Sequence, residues 1–129
     1  MNILMIGRGA VAAGYGWAFE HAGHHVQFLV RSGRAKQYGS SMELNILDER
    51  ENPQGQAVAE RWPATLLEAI PAGADYDLIL VSVNHNQVAE ALETISAAGG
   101  DATVLIFSNL WDSMESIAAE RIVWGDVCC

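Results

Sequence analysis

The chain has 129 residues, half of them apolar and 18% charged, which is the balance of one globular domain rather than of a disordered segment. Its formal charge of −9 disfavours a general affinity for nucleic acid, which rests on lysine and arginine contacts to phosphates. A small anion can still bind where the few cations gather. No apolar run approaches the roughly 18 to 20 residues of a membrane helix, and the first residues lack the basic segment of a signal peptide, so neither membrane insertion nor export is expected and the reading is cytoplasmic. The two cysteines, Cys128 and Cys129, are adjacent at the end of the chain, with neither a disulfide framework nor a zinc-ligand spacing, and no metal site is expected.

Residues 2–6 are a short apolar run ending at Gly7 and predict a first strand. Residues 10–22 place Val11, Tyr15, Ala18, Phe19 and Ala22 at helical spacing, with Gly23 as the stop, and residues 25–30 predict a second strand. The three form a βαβ unit, which implies parallel strands and a right-handed crossover. Between residues 32 and 65, Gly33, Gly39, Pro53, Gly55 and Pro63 interrupt the pattern, and the runs 42–47 and 56–60 predict two short strands around an Asn-Pro-Gln-Gly turn. Residues 65–70 are expected to form one helical turn or two. Residues 77–83, Asp-Leu-Ile-Leu-Val-Ser-Val, are aliphatic on both faces, as a buried central parallel strand must be. An amphipathic helix over 87–97, ended by Gly99 and Gly100, a strand over 103–107, a helix over 113–120 and a last strand over 121–124 complete the alternation. The expected fold class is α/β, a Rossmann-type doubly wound, mostly parallel sheet with helices on both faces.

The motif with chemical content is Gly7-Arg8-Gly9-Ala10-Val11-Ala12, a GxGxxA sequence at the junction of the first strand and first helix. Gly7 permits a tight turn, and Gly9 lets the backbone come close to a pyrophosphate. Ala12 is small enough for the helix to pack against the strand. The unpaired N–H groups and dipole of the helix N-terminus favour the negative charge. Dinucleotide binding follows from this context rather than from the glycines alone. Gly14 and Gly16 each weaken a helix by roughly 1 kcal/mol relative to alanine, and a close approach to the sheet or to a neighbouring segment is the expected reason.

At the end of the second strand, NAD-selective domains place an acid against the ribose 2′-hydroxyl. Here Arg31 stands there, in Leu29-Val30-Arg31-Ser32-Gly33-Arg34. An arginine can grip a 2′-phosphate through forked, charge-assisted hydrogen bonds, which points to NADP(H) as the cofactor. Arg34 and Lys36 are nearby helpers or ordinary surface charges.

The Gly7-x-Gly9-Ala10-Val11 loop, Gly16, Ala22-Gly23-His24, the strand end Leu29-Val30-Arg31 and the segment Asp77 to Val83 leading to Gln87 together resemble the N-terminal domain of ketopantoate reductases (2-dehydropantoate 2-reductases). The resemblance covers nearly the whole chain. It implies an NADPH-binding domain of an oxidoreductase of pantothenate biosynthesis, followed by a helical C-terminal domain that supplies the catalytic lysine and an acidic substrate ligand. That second domain is expected to be absent from this chain, which would leave it an inactive fragment on its own.

The family's asparagine near nicotinamide and substrate corresponds to Asn109, whose usual glycine neighbour is here Leu110. The family's lysine after the preceding strand corresponds to Asn84, in Val83-Asn84-His85-Asn86-Gln87. The lost cation puts ketopantoate itself in doubt and leaves room for another 2-oxo acid or carbonyl compound. His85 is a candidate acid but reads more simply as polar surface. The cofactor-binding residues expected are therefore Gly7, Arg8, Gly9, Ala10, Val11, Ala12, Arg31, Val83, Asn84 and Asn109, with Asn109 also positioning the substrate. The partner is a small carbonyl substrate, and a homo-oligomer is compatible with the sequence. Two rival readings stay open, a nucleotide-sensing module without catalysis and the N-terminal domain of a different two-domain dehydrogenase.

Overall fold

Strands form where successive apolar residues can be buried on opposite faces, and the computed structural model, which describes residues 1–98, 100–108 and 122–125, shows this division along each central strand. In β1 (Asn2–Ile6), Ile3 and Met5 enter one hydrophobic cluster while Leu4 and Ile6 enter another on the far side. In β6 (Leu78–Val81), Leu80 joins the first and Ile79 and Val81 the second. In β7 (Thr103–Phe107), Val104 and Ile106 are buried in the second, with Leu105 and Phe107 packed against the first. The helices cover these faces from opposite sides. Helix α1 (Ala10–His21) buries Ala12, Ala13 and Trp17 on the first, and α3 (Val88–Ala98) buries Val88 and Ala91 on the second.

Among the described residues, the sheet contains six strands in the order β5-β2-β1-β6-β7-β8, with β2 at His25–Leu29, β5 at Thr65–Leu67 and β8 at Ile122–Gly125. Every neighbouring pair is parallel. Counted among the strands of this sheet alone, the order is third, second, first, fourth, fifth, sixth, the doubly wound arrangement. The direction of winding reverses between β1 and β6, and doubly wound sheets bind their ligands beyond the carboxyl ends of the strands at such a switch point. The expected fold class is the one observed.

A separate antiparallel hairpin, β3 (Ser41–Asp48) and β4 (Gln56–Pro63), packs against α1. Its ladder is longer than the apolar runs suggest, because Met42 stands opposite Trp62 and both are buried in the first cluster beside Trp17 and Phe28. Gly55 closes the Asn-Pro-Gln-Gly turn with φ of +75°, and its N–H donates to the Asn52 carbonyl at 2.8 Å.

Three local expectations change. Residues 65–70 do not begin a helix: Thr65–Leu67 is the edge strand β5, in register with Gln27, Phe28 and Leu29 of β2. Leu66 packs against the first cluster and Leu67 against the second, so adjacent leucines that fit a helical turn in sequence are divided by the sheet. A four-residue helix, α2 (Ala35–Tyr38), forms where no element was expected. The helix expected from Gln87 begins instead with a 3₁₀ turn, His85–Gln87, and becomes α-helical at Val88.

The glycine reading divides. A side chain at Gly16 would meet Phe28 Cζ at 2.7 Å and Trp62 Cη2 at 3.1 Å, the expected close approach, whereas one at Gly14 would meet nothing within 4 Å. The helix expected over 113–120 and Asn109 lie outside the described residues.

Candidate functional site

The site grows from the turn between β1 and α1. Gly7 has φ of +106°, a conformation that side chains rarely adopt, and a Cβ there would collide with the Ser82 carbonyl. Val83 Cγ1 lies 3.2 Å from the same point. Gly7 thus lets the glycine turn press directly against the turn that follows β6, joining two of the expected site segments at the switch point of the sheet. The Gly7 N–H also donates to the Leu29 carbonyl at 3.3 Å, tying the turn to the end of β2.

Gly9 caps α1 in an extended conformation, φ −72° and ψ 178°, and accepts a hydrogen bond from the Ala13 N–H at 2.9 Å. No side chain caps the helix and no acid occupies its first turn. The first N–H groups of a helix have no partner within it, so this end presents unneutralised donors, and a Cβ at Gly9 would meet nothing within 4 Å. Gly9 and Ala10 are exposed, Val11 is half-buried and Ala12 is fully buried. The first residues of the motif therefore border open space, while Ala12 packs the helix onto the sheet.

Arg8 bridges two loops. Its guanidinium lies 4.7 Å from the centre of the Tyr38 ring, and Nη2 donates to the Ser41 carbonyl at 3.3 Å. Its Nε is buried without a hydrogen-bond partner among the described residues, an arrangement that costs free energy unless something satisfies the donor. Arg31 follows β2 and is exposed, with its carbonyl accepting from the Arg34 N–H at 3.0 Å. With Arg34 and Lys36, four of the seven lysines and arginines of a chain of charge −9 lie in the short segments that follow β1 and β2.

On the other side of the glycine turn, Val83 is half-buried against the second cluster and Asn84 is exposed. Asn84 starts the 3₁₀ turn, its carbonyl accepting from Gln87 N–H at 2.8 Å. The Ser82 N–H donates to the Ile6 carbonyl at 2.9 Å, which keeps this turn beside β1. The structure thus brings the glycine turn, the Arg31 loop and the Val83–Asn84 turn to one edge of the sheet, and Asn109 lies outside the described residues.

Glu68 escaped the sequence reading. Its Oε1 accepts from the Ala35 N–H at 2.9 Å, and hydrogen bonds from the Gly33 and Ala35 amides hold its carboxyl below the usual range. The reason it was missed is local. Glu68 reaches the loop only because β5 lies beside β2, and β5 was read as a helical turn. Tyr38 and Ser41, the partners of Arg8, carry no pattern of their own in the sequence.

Six parallel strands in this order, with a glycine turn leading into an uncapped helix at the switch point, define a Rossmann-type α/β domain. The family model described as ketopantoate reductase PanE/ApbA matches residues 3–126, and the chain belongs to the PanE/ApbA ketopantoate reductase family. No curated protein sequence matches it. Among solved structures, it is similar to a Bacillus subtilis protein described as a probable 2-dehydropantoate 2-reductase, with a TM-score of 0.70 and 18% identity, covering 98% of this chain and 41% of that one. A 2-dehydropantoate 2-reductase of Methylococcus capsulatus is similar with a TM-score of 0.66 and 22% identity, over 98% of this chain and 40% of that one. A D-mandelate dehydrogenase solved with NADH and anilino(oxo)acetate has a TM-score of 0.68 and 22% identity, over 98% and 40% respectively. The chain therefore spans about two fifths of the length of these structural relatives.

Proposed function

We propose that this chain is the NADP(H)-binding domain of a ketopantoate-reductase-like oxidoreductase that reduces a 2-oxo acid or related carbonyl compound. The observation that carries the reading is an exposed arginine, Arg31, two residues past the end of β2, whose Leu29 carbonyl accepts from the Gly7 N–H of the glycine turn, at the place where NAD-selective domains put an acid. The room beyond Gly9 and the uncapped start of α1 fit a pyrophosphate. Arg8, whose guanidinium lies 4.7 Å from the centre of the Tyr38 ring, fits a role at the same edge.

When bound, the reduced nicotinamide supplies the hydride. The residues of this chain hold and orient. The backbone at Gly7, Gly9, Ala10, Val11 and Ala12 receives the pyrophosphate, Arg31 takes the 2′-phosphate, and Val83 and Asn84 flank the nicotinamide side, with Asn109 assigned to the nicotinamide and substrate. Asn84 carries no charge where the family has a lysine, which favours a carbonyl substrate other than ketopantoate. Proton delivery is assigned to a helical C-terminal domain of the parent enzyme, and the proposed location is cytoplasmic.

The NADH found with the D-mandelate dehydrogenase makes cofactor preference the decisive test. NAD has only a hydroxyl where NADP has a phosphate, so Arg31→Ala should weaken NADP binding roughly ten- to hundredfold while NAD affinity stays put, since hydrogen bonds to charged groups contribute about 1.5 to 3 kcal/mol. Titration calorimetry of both cofactors against both proteins reads the difference. Equal losses, or none, would remove the assignment of NADP.

A further inference from the structure

The loop that carries Arg31 has little to hold it from within. Residues 31–34 are exposed, Gly33 has φ of +78°, and α2 contributes no buried residue. A long side chain on such a loop loses much of its grip, because the entropy given up in ordering the loop offsets part of the attraction to the ligand. Two tethers fix the loop to the sheet. The Val30 N–H donates to the Leu67 carbonyl at 2.8 Å, which extends the β2–β5 ladder one residue past Leu29. One residue beyond Leu67, the Glu68 carboxylate accepts from the Ala35 N–H at 2.9 Å. One residue before Ala35, the Arg34 N–H donates back to the Arg31 carbonyl at 3.0 Å. Glu68 therefore holds the far side of the turn whose first residue is Arg31.

We propose that Glu68 is a positioning residue for cofactor selectivity, fixing the 31–35 loop so that Arg31 is already placed for the 2′-phosphate. The proposal rests on the reading of Arg31 as the ligand of that phosphate. A carboxylate near a phosphate site also repels it, but Glu68 is exposed and the repulsion is screened by solvent and salt. The lasting effect of Glu68 is the conformation it imposes, and a neutral acceptor of the same shape keeps most of it.

The test is calorimetric titration of NADP and NAD against the wild-type chain, Glu68→Ala, Glu68→Gln and Arg31→Ala, with the thermal midpoint of each recorded to show that it is folded. Glu68→Ala is expected to bind NADP roughly three- to tenfold more weakly, with NAD affinity changed less than about twofold. Glu68→Gln should recover most of the loss, and in the Arg31→Ala background Glu68→Ala should have no further effect. Equal losses for the two cofactors, no loss, or tighter NADP binding by Glu68→Ala would overturn the positioning role. If Arg31→Ala is selective and Glu68→Ala is not, Glu68 alone is misassigned. If Arg31→Ala is not selective either, the reading of the 2′-phosphate site falls and this inference with it.

Discussion

Helix α1 faces two regions of opposite character. At its N-terminus, around Gly7, Arg8 and Gly9, the backbone donors lack a side-chain cap among the described residues. Along its body it meets the hairpin, where polar groups are paired reciprocally. Trp17 Nε1 donates to Glu60 at 2.8 Å, and Trp62 Nε1 donates to Glu20 at 2.7 Å, so each element contributes one indole and one carboxylate to the other. Arg50 stacks over Trp17 at 4.7 Å while bonding Asp48. Paired polar groups lock an interface, whereas unpaired ones at an open edge have free energy to gain from a ligand. This contrast fits a stabilising role for the hairpin face and the proposed dinucleotide site at the glycine turn.

Substitution at Gly9 should separate the two most sharply. A Cβ there meets no protein atom within 4 Å, and the φ of −72° suits any residue, so Gly9→Val should fold with a thermal midpoint close to that of the wild type. The side chain would occupy the space assigned to the pyrophosphate, and binding of either dinucleotide should fall roughly a hundredfold or more, beyond about 2.8 kcal/mol. Calorimetry shows whether it does. Unchanged affinity in a folded Gly9→Val protein would place the phosphate site elsewhere.

The reverse pattern belongs to Gly16, two turns further along α1 and under the hairpin. Phe28 and Trp62 are buried and have nowhere to retreat, so Gly16→Val should destabilise the domain by about 1–3 kcal/mol or more through overpacking. Gly14→Ala serves as its control. With open space around it, alanine there should stabilise the helix by roughly 0.5–1 kcal/mol. Urea denaturation of both variants measures the difference, and equal behaviour would mean that the helix does not approach the hairpin as closely as the structure shows.

How much of this was legible follows from which interactions are local. Strands β1, β2 and β7 were readable because short runs rich in apolar residues, bounded by glycine or polar residues, have no other way to be buried. The glycine turn was readable because strand, motif and helix are contiguous. That α1 needs a small residue at position 16 could be argued from the helical cost of glycine, but the partners, Phe28 and Trp62, lie 12 and 46 positions away and nothing in the pattern names them. The edge strand β5 was lost because three residues are too few to show a period, and Glu68 was lost with it. Arg8 was assigned to the cofactor site by its place in the motif, yet its contacts with Tyr38 and Ser41 depend on how the α2 loop folds back.

The smallest expected effect lies in the hairpin's ion pair and concerns pH. Hydrogen bonds from the Arg50 side chain and backbone lower the Asp48 carboxyl to about 2, against roughly 3.9 for an unfolded aspartate. A carboxyl with a depressed folded-state value binds protons more readily when the chain is unfolded. The pair's contribution is therefore complete above the unfolded value and is lost as the pH falls from about 5 towards 2. Because Arg50 is exposed and Asp48 is only half-buried, the contribution is small and salt-sensitive. Asp48→Asn should lower the urea midpoint slightly at about pH 6, the gap to wild type should close as the pH approaches about 2, and about 1 M salt should narrow it at every pH. Dinucleotide affinity at neutral pH should be the same in both proteins, because the pair sits on the hairpin face and touches none of the three loops at the binding edge. A gap that persists at the acid end would show that Asp48 acts through packing rather than charge. A change in cofactor affinity would show that the hairpin and the glycine turn are coupled through α1, and the division between a locked face and an open edge would then have to be given up.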